Sequence, residues 1–120
     1  MSGDYRVKRA YDVPSEEDGK RILVDRLWPR GVNKDAAELD GWAKDATPST
    51  DLRKWLHANP EEYSEFVARY DLELEGDAQQ AALAQVREVH AKHTVTLITA
   101  AKDVAHSHVP VLVKRLEAGT

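Results

Sequence analysis

The apolar positions of this chain change period several times, and each change marks an element. Tyr5 and Val7 alternate with polar neighbours and Ala10 prolongs the run, which predicts a strand over residues 5–11. Asp12-Val13-Pro14 breaks it. Ser15 through Gly19 reads as a single helical turn, with Ser15 as N-cap and Gly19 as stop. Ile22, Leu23 and Val24 open a second strand, expected over 22–27. That strand passes directly into a charged and aromatic tip, Asp25-Arg26-Leu27-Trp28-Pro29-Arg30-Gly31, where a Pro and a Gly halt it. The link between the two strands is short. On length alone it favours an antiparallel, hairpin-like pairing, since a parallel crossover usually takes a dozen or more residues.

Beyond Gly31 the period lengthens to that of helices. Asn33 is placed to cap a turn running to about Leu39, and Leu39, Trp42, Ala43 and Ala46 mark a second apolar helical face. Thr47-Pro48-Ser49 interrupts, and Ser49 or Thr50 caps a short helix carrying Leu52, Trp55 and Leu56. Asn59-Pro60-Glu61-Glu62 has the fullest helix-start signature in the chain: a cap, Pro at the first position, then acids in the first turn. Behind it Tyr63, Phe66, Val67, Tyr70 and Leu74 line one buried face. Gly76 closes that helix, and another is expected from Asp77 to about Lys92 with Ala82, Val86 and Val89 inward. Residues 94–101 carry the strongest strand signal, β-branched and uncharged, of the kind that suits a strand covered on both faces of a parallel sheet. A last helix presents Val109, Leu112, Val113 and Leu116 on one side, with Pro110 tolerable in its first turn. The predicted order is strand, strand, helices, strand, helix, without internal repeats.

Composition narrows the function classes. The 120 residues are read as one domain spanning 1–120, with 42% hydrophobic and 32% charged residues, ordinary for a globular protein. The formal charge of −4 gives no support to duplex binding by bulk charge, so a nucleic-acid partner lacks that argument. The absence of cysteine excludes disulfides, thiolate catalysis and cysteine metal sites, and fits a reducing compartment. No apolar stretch approaches a membrane span and Met1-Ser2-Gly3-Asp4 is no signal-peptide start, so a cytoplasmic protein without a membrane partner is expected.

Several motifs point to a family. The segment from Val24 through Gly31, Leu52-Arg53-Lys54-Trp55, and the run from Thr94 through Lys102-Asp103 with His106 and His108 resemble the YeaO-like branch of the domain-of-unknown-function 488 family over nearly the whole chain. The resemblance implies a compact α/β domain, a Rossmann-like three-layer arrangement of a mainly parallel sheet flanked by helices. It implies no established activity. Longer members of the wider superfamily look similar at the last strand but have a cysteine where this chain has Thr99, and Cys-His-Arg where it has Ser107-His108-Val109; thiol chemistry proposed for them does not carry over. They also place a full crossover helix at the position of Ser15–Gly19. The resemblance therefore implies a parallel unit with a shrunken helix here, against the rule from connection length.

With parallel strands, the carboxyl ends share one edge, where open α/β sheets usually bind ligands. Arg9, Tyr11, the Asp25–Arg30 tip and the stretch from Lys102 to His108 would converge there. Arg26, Arg30 and Lys102 suit an oxyanion, with Arg9, Tyr11, Trp28 and Asp103 as further ligand-binding candidates. Asp25 can orient an arginine or, with a raised pKa, serve as a general base. His106 and His108 sit where a helix should begin, and an imidazole kept neutral there can accept a proton. At least one of the two should face the same cleft as Asp25, unlike His90 and His93.

Each candidate also has a plainer role. Asp25 beside Arg26 suits a structural ion pair that pins the strand end. Trp28, Trp42 and Trp55 suit packing better than base stacking. His57 and His90 suit helix faces. His106 and His108 would need a third metal ligand, for which only His57 or Asp103 offers, so no metal is assigned and no cofactor is implied. Two function classes follow. One is a small enzyme acting on a phosphate- or nucleotide-like anion through Asp25 and a histidine. The other is a non-catalytic module that binds a nucleotide, a nucleic-acid end or a protein partner at the same edge.

Overall fold

The computed structural model describes residues 5–119. Four strands form one sheet: β1 (Arg6–Arg9), β2 (Lys20–Leu23), β3 (Gly41–Trp42) and β4 (Val95–Thr99). Their spatial order is β1-β4-β2-β3, and every pairing is parallel. Five helices accompany them: α1 (Lys34–Ala37), α2 (Thr50–Ala58), α3 (Tyr63–Glu73), α4 (Asp77–His90) and α5 (Val109–Ala118). The fold is α/β, as the resemblance implies. The antiparallel pairing that connection length favours is absent.

A crossover without a proper helix is possible because the strands are so short. A four-residue strand rises only about 13 Å. The ten residues 10–19 span that easily, since an extended chain covers roughly 3.3 Å per residue. They hold one 3-10 turn, Glu16–Asp18, which ends at Gly19 with φ +65°. Only glycine fits there. A Cβ would strike the Thr94 carbonyl, and the Lys20 N–H donates to that same carbonyl at 2.8 Å.

Register sorts the sheet into two unlike faces. Val7, Leu97 and Ile22 are in register, and Tyr5, Ile22, Val24, Val95 and Leu97 pack into one apolar cluster with Leu52, Phe66, Tyr70, Leu83, Val86, Leu112 and Leu116. That face carries α2 to α5. By strand alternation Lys8, Arg21, Leu23, Thr96 and Ile98 point the other way. There the cover is thin and polar. Arg21 and Asp18 are each 3% exposed and joined at 2.6 Å, Lys8 reaches both Asp18 oxygens at 3.1 Å, and Thr96 Oγ1 donates to the Asp18 carbonyl. Arg21 Nε donates to the Ala37 carbonyl, which ties α1 to the same cluster.

Several boundaries differ from the sequence reading. The apolar face expected over Leu39 to Ala46 is not helical: Gly41–Trp42 is an edge strand and Lys44–Ala46 a 3-10 turn. Trp42 is diverted there by its ring contact with Trp28 and by its Nε1 donating to the Asp25 carbonyl at 2.6 Å. Asn33 caps α1 and Ser49 caps α2 through side-chain bonds. Asn59 does not cap; its side chain donates to the Trp55 carbonyl, and Pro60–Glu62 forms a 3-10 prelude to α3. Gly76 begins α4 rather than closing α3. No helix among the described residues is long and apolar enough to cross a membrane.

Candidate functional site

The carboxyl ends of β2 and β4 open onto a cleft of about 1000 Å³. Its wall is shared by the loop after β2, the segment after β4 and α2 with its flanks; Val24 makes the last ladder bond of β2 (to the Ile98 carbonyl, 2.9 Å) and the chain then leaves the sheet. Of the ten candidate residues, Tyr11, Asp25, Arg26, Trp28, Arg30, Lys102, Asp103, His106 and His108 line this cleft. Arg9 does not. It stands behind Tyr11, its Nε donating to the Ala101 carbonyl and its guanidinium 5.5 Å from the Tyr11 ring centre.

Asp25 is held on all sides. Its Oδ1 accepts from the Thr99 hydroxyl and its Oδ2 from the Ala100 N–H, both at 2.7 Å, and His108 Nε2 lies 3.4 Å from Oδ1. Burial alone would raise its pKa, but His108, the Ala100 N–H and the Thr99 hydroxyl together hold the carboxyl below its ordinary value. The raised pKa that a general base requires is therefore not what Asp25 has. His108 is similarly engaged: Nε2 donates to the Val24 carbonyl at 2.6 Å, which fixes the proton on that nitrogen. His106 is exposed, with Nδ1 donating to Asp103 at 2.9 Å and its ring edge-on to Tyr63. His90 is buried away from the cleft and stacked on Tyr5 at 3.9 Å, and His93 is exposed and does not line the cleft. Among the described residues no three His, Asp or Glu side chains cluster as a metal ion would require.

The cations are arranged differently. Arg26 is half-buried in the wall, its Nε donating to the Pro48 carbonyl (2.8 Å) and its Nη2 to the Thr47 carbonyl (3.3 Å). No carboxylate among the described residues pairs with it. Arg30, Lys102 and, from α2, Arg53 and Lys54 are exposed around the opening and equally without a carboxylate partner among the described residues. The cleft thus gathers five basic side chains against Asp25 and Asp103, in a chain whose formal charge is −4. Arg53, Lys54 and His57, all on α2, also line the cleft, although no strand end carries them. Arg53 and Lys54 belong to the Leu52–Trp55 motif, but nothing in its spacing shows that Pro48 and Ser49 bring the start of α2 against Arg26.

The aromatic residues divide. Trp28 donates to the Val32 carbonyl at 2.8 Å, meets Trp42 edge-on and has Lys34 over its ring. Trp55 carries Arg69 at 4.2 Å. Both serve packing. Tyr11 is 53% exposed while its hydroxyl donates to the Arg30 carbonyl at 3.2 Å.

A family model described as the inactive DUF488-N3 subclade matches residues 4–120. The chain is 44% identical over 111 residues to the uncharacterized protein Rv3073c of Mycobacterium tuberculosis, covering 92% of each. It is 42% identical over 105 residues to the uncharacterized protein YeaO of Escherichia coli, covering 88% of this chain and 90% of that one. No solved structure matches the chain.

Proposed function

This chain belongs to the inactive DUF488-N3 subclade, and from that premise we propose that it is a cytoplasmic binding protein that holds a phosphate-bearing anion at the carboxyl edge of its sheet without acting on it. The observation that carries this reading is Arg26. A half-buried guanidinium normally has a carboxylate partner, because removing the charge from water is costly. Among the described residues Arg26 has only two carbonyls, which orient it and leave its charge without a carboxylate at the cleft wall. A ligand oxyanion supplies the missing partner, and a guanidinium grips phosphate oxygens in pairs. The exposed cations at the opening draw such a ligand in. Acid–base work is not part of the proposal. Asp25 is already hydrogen-bonded and below its ordinary pKa, His108 Nε2 is engaged by a carbonyl, and the subclade is described as inactive. A chain without cysteine fits the reducing compartment proposed.

Titration calorimetry with ribose 5-phosphate tests it. Wild type should bind, Arg26→Gln should lose binding, and Arg30→Ala and Lys102→Ala should each weaken it roughly threefold, as for exposed charges. Equal affinity in all four proteins would remove the arginines and Lys102 from ligand binding.

A further inference from the structure

The cleft is larger than a phosphate needs. Its volume of about 1000 Å³ lies at the upper end of what drug-sized ligands occupy, roughly 300–1000 Å³. Its interior is largely apolar, formed by Leu27, Pro29, Pro48, Leu56, Ala100 and Ala101, with the cations standing around it. Leu27 is 57% exposed, which leaves apolar surface uncovered in the wall. An inorganic anion would leave that surface bare.

Tyr11 shows what fills it. The ring is tethered at its hydroxyl to the Arg30 carbonyl and backed by the Arg9 guanidinium, which is itself fixed to the Ala101 carbonyl. A surface tyrosine restrained in this way, yet 53% exposed and lining a cleft, buries little of its own area. Trp28, the other large aromatic of the wall, is unsuited to the same task, because Trp42 and Lys34 already occupy it. A pre-oriented ring stacks on a planar group with little loss of side-chain freedom, and every nucleobase offers a planar face. Arg9 behind the ring adds to the attraction.

Resting on the anion-binding reading above, we infer that the ligand is a nucleotide, with its base stacked on Tyr11 and its phosphate paired with Arg26. The exposed cations on three separate segments (Arg30, Arg53 with Lys54, and Lys102) suit a ligand whose charge is spread along a sugar-phosphate unit.

The test compares adenosine monophosphate with ribose 5-phosphate by calorimetry on wild type, Tyr11→Phe and Tyr11→Leu. Both substitutions are at an exposed position, so the fold is retained. Wild type should bind the nucleotide about tenfold more tightly than the sugar phosphate, Tyr11→Phe, which keeps the ring without its tether, should retain part of that advantage, and Tyr11→Leu should abolish it. Equal affinity of wild type for the two ligands overturns the inference and leaves anion binding standing. A loss in Tyr11→Phe as large as in Tyr11→Leu also overturns it, because the hydroxyl tether and not the ring would then be what matters. Binding of neither ligand rejects both proposals together.

Discussion

Asp25 joins three strand ends through one residue: its carboxylate takes the Thr99 hydroxyl and the Ala100 N–H, and its carbonyl takes the Trp42 indole. Asp25→Asn keeps the shape but presents an amide N–H₂ to one of those donors. We expect a loss of about 2 kcal/mol, in line with hydrogen bonds to a charged group, seen as a lower denaturation midpoint. Lys102→Ala should leave the midpoint unchanged. Asp18 is the second such carboxylate. Burial pushes its pKa up, but the Ser15 N–H, Lys8 and Arg21 outweigh burial and hold it at about 2. A folded pKa below the unfolded value of about 4 means the contribution is full above that value and is lost as pH falls through it toward 2. Thermal unfolding scans should therefore be flat from pH 7 to about 5 and drop steeply below about 4. Asp18→Asn should flatten the drop while costing about 3 kcal/mol at neutral pH, since it strands Arg21 in the interior.

At the scale of elements, the reduced crossover between β1 and β2 depends on Gly19 more than on its 3-10 turn. Gly19→Ala places a Cβ against the Thr94 carbonyl at φ +65°. Strain of that kind amounts to about 1–3 kcal/mol before any clash is added, and the clash is with backbone that β4 cannot move. The variant should unfold at markedly lower denaturant, with amide exchange fastest in β2, the strand that this turn delivers to the sheet. Helix α3 shows the opposite case. Phe66, Tyr70 and Leu74 are buried as the period predicts, and Tyr70 adds a buried bond to the Ala46 carbonyl at 2.6 Å. Its apolar face was legible in the sequence because helical geometry repeats whatever it packs against. Trp42 was not legible, because a two-residue edge strand has no period to read.

Over the whole molecule, charge is separated. A chain of formal charge −4 gathers five basic side chains around one cleft, none paired with a carboxylate among the described residues. These groups are exposed, so their pull on an anion is screened over a Debye length of about 8 Å at physiological salt. The affinity for a phosphate ligand should accordingly fall by roughly threefold from low to physiological ionic strength, measured by calorimetry at several salt concentrations. The unfolding midpoint should barely move, because the core that holds the molecule together is apolar.

The sequence by itself determined three of the four strands, the helices from Thr50 onward, the family, and the tip at which cations and aromatics leave the sheet. Those are properties of neighbouring residues: period, caps, and a Pro and a Gly after Val24. It did not determine that β4 lies between β1 and β2, that β3 exists, or that α2 brings Arg53 and Lys54 to the same cleft. Nor did it show which polar groups remain free. Asp25, His108 and Arg26 look equally available as letters in a motif. Folding places Thr99, Ala100 and the Val24 carbonyl within hydrogen-bond distance of the first two, and gives Arg26 two carbonyls but, among the described residues, no carboxylate. Hydrogen bonds depend on separations of about 3 Å between residues as many as 92 positions apart, and only the tertiary structure sets those separations.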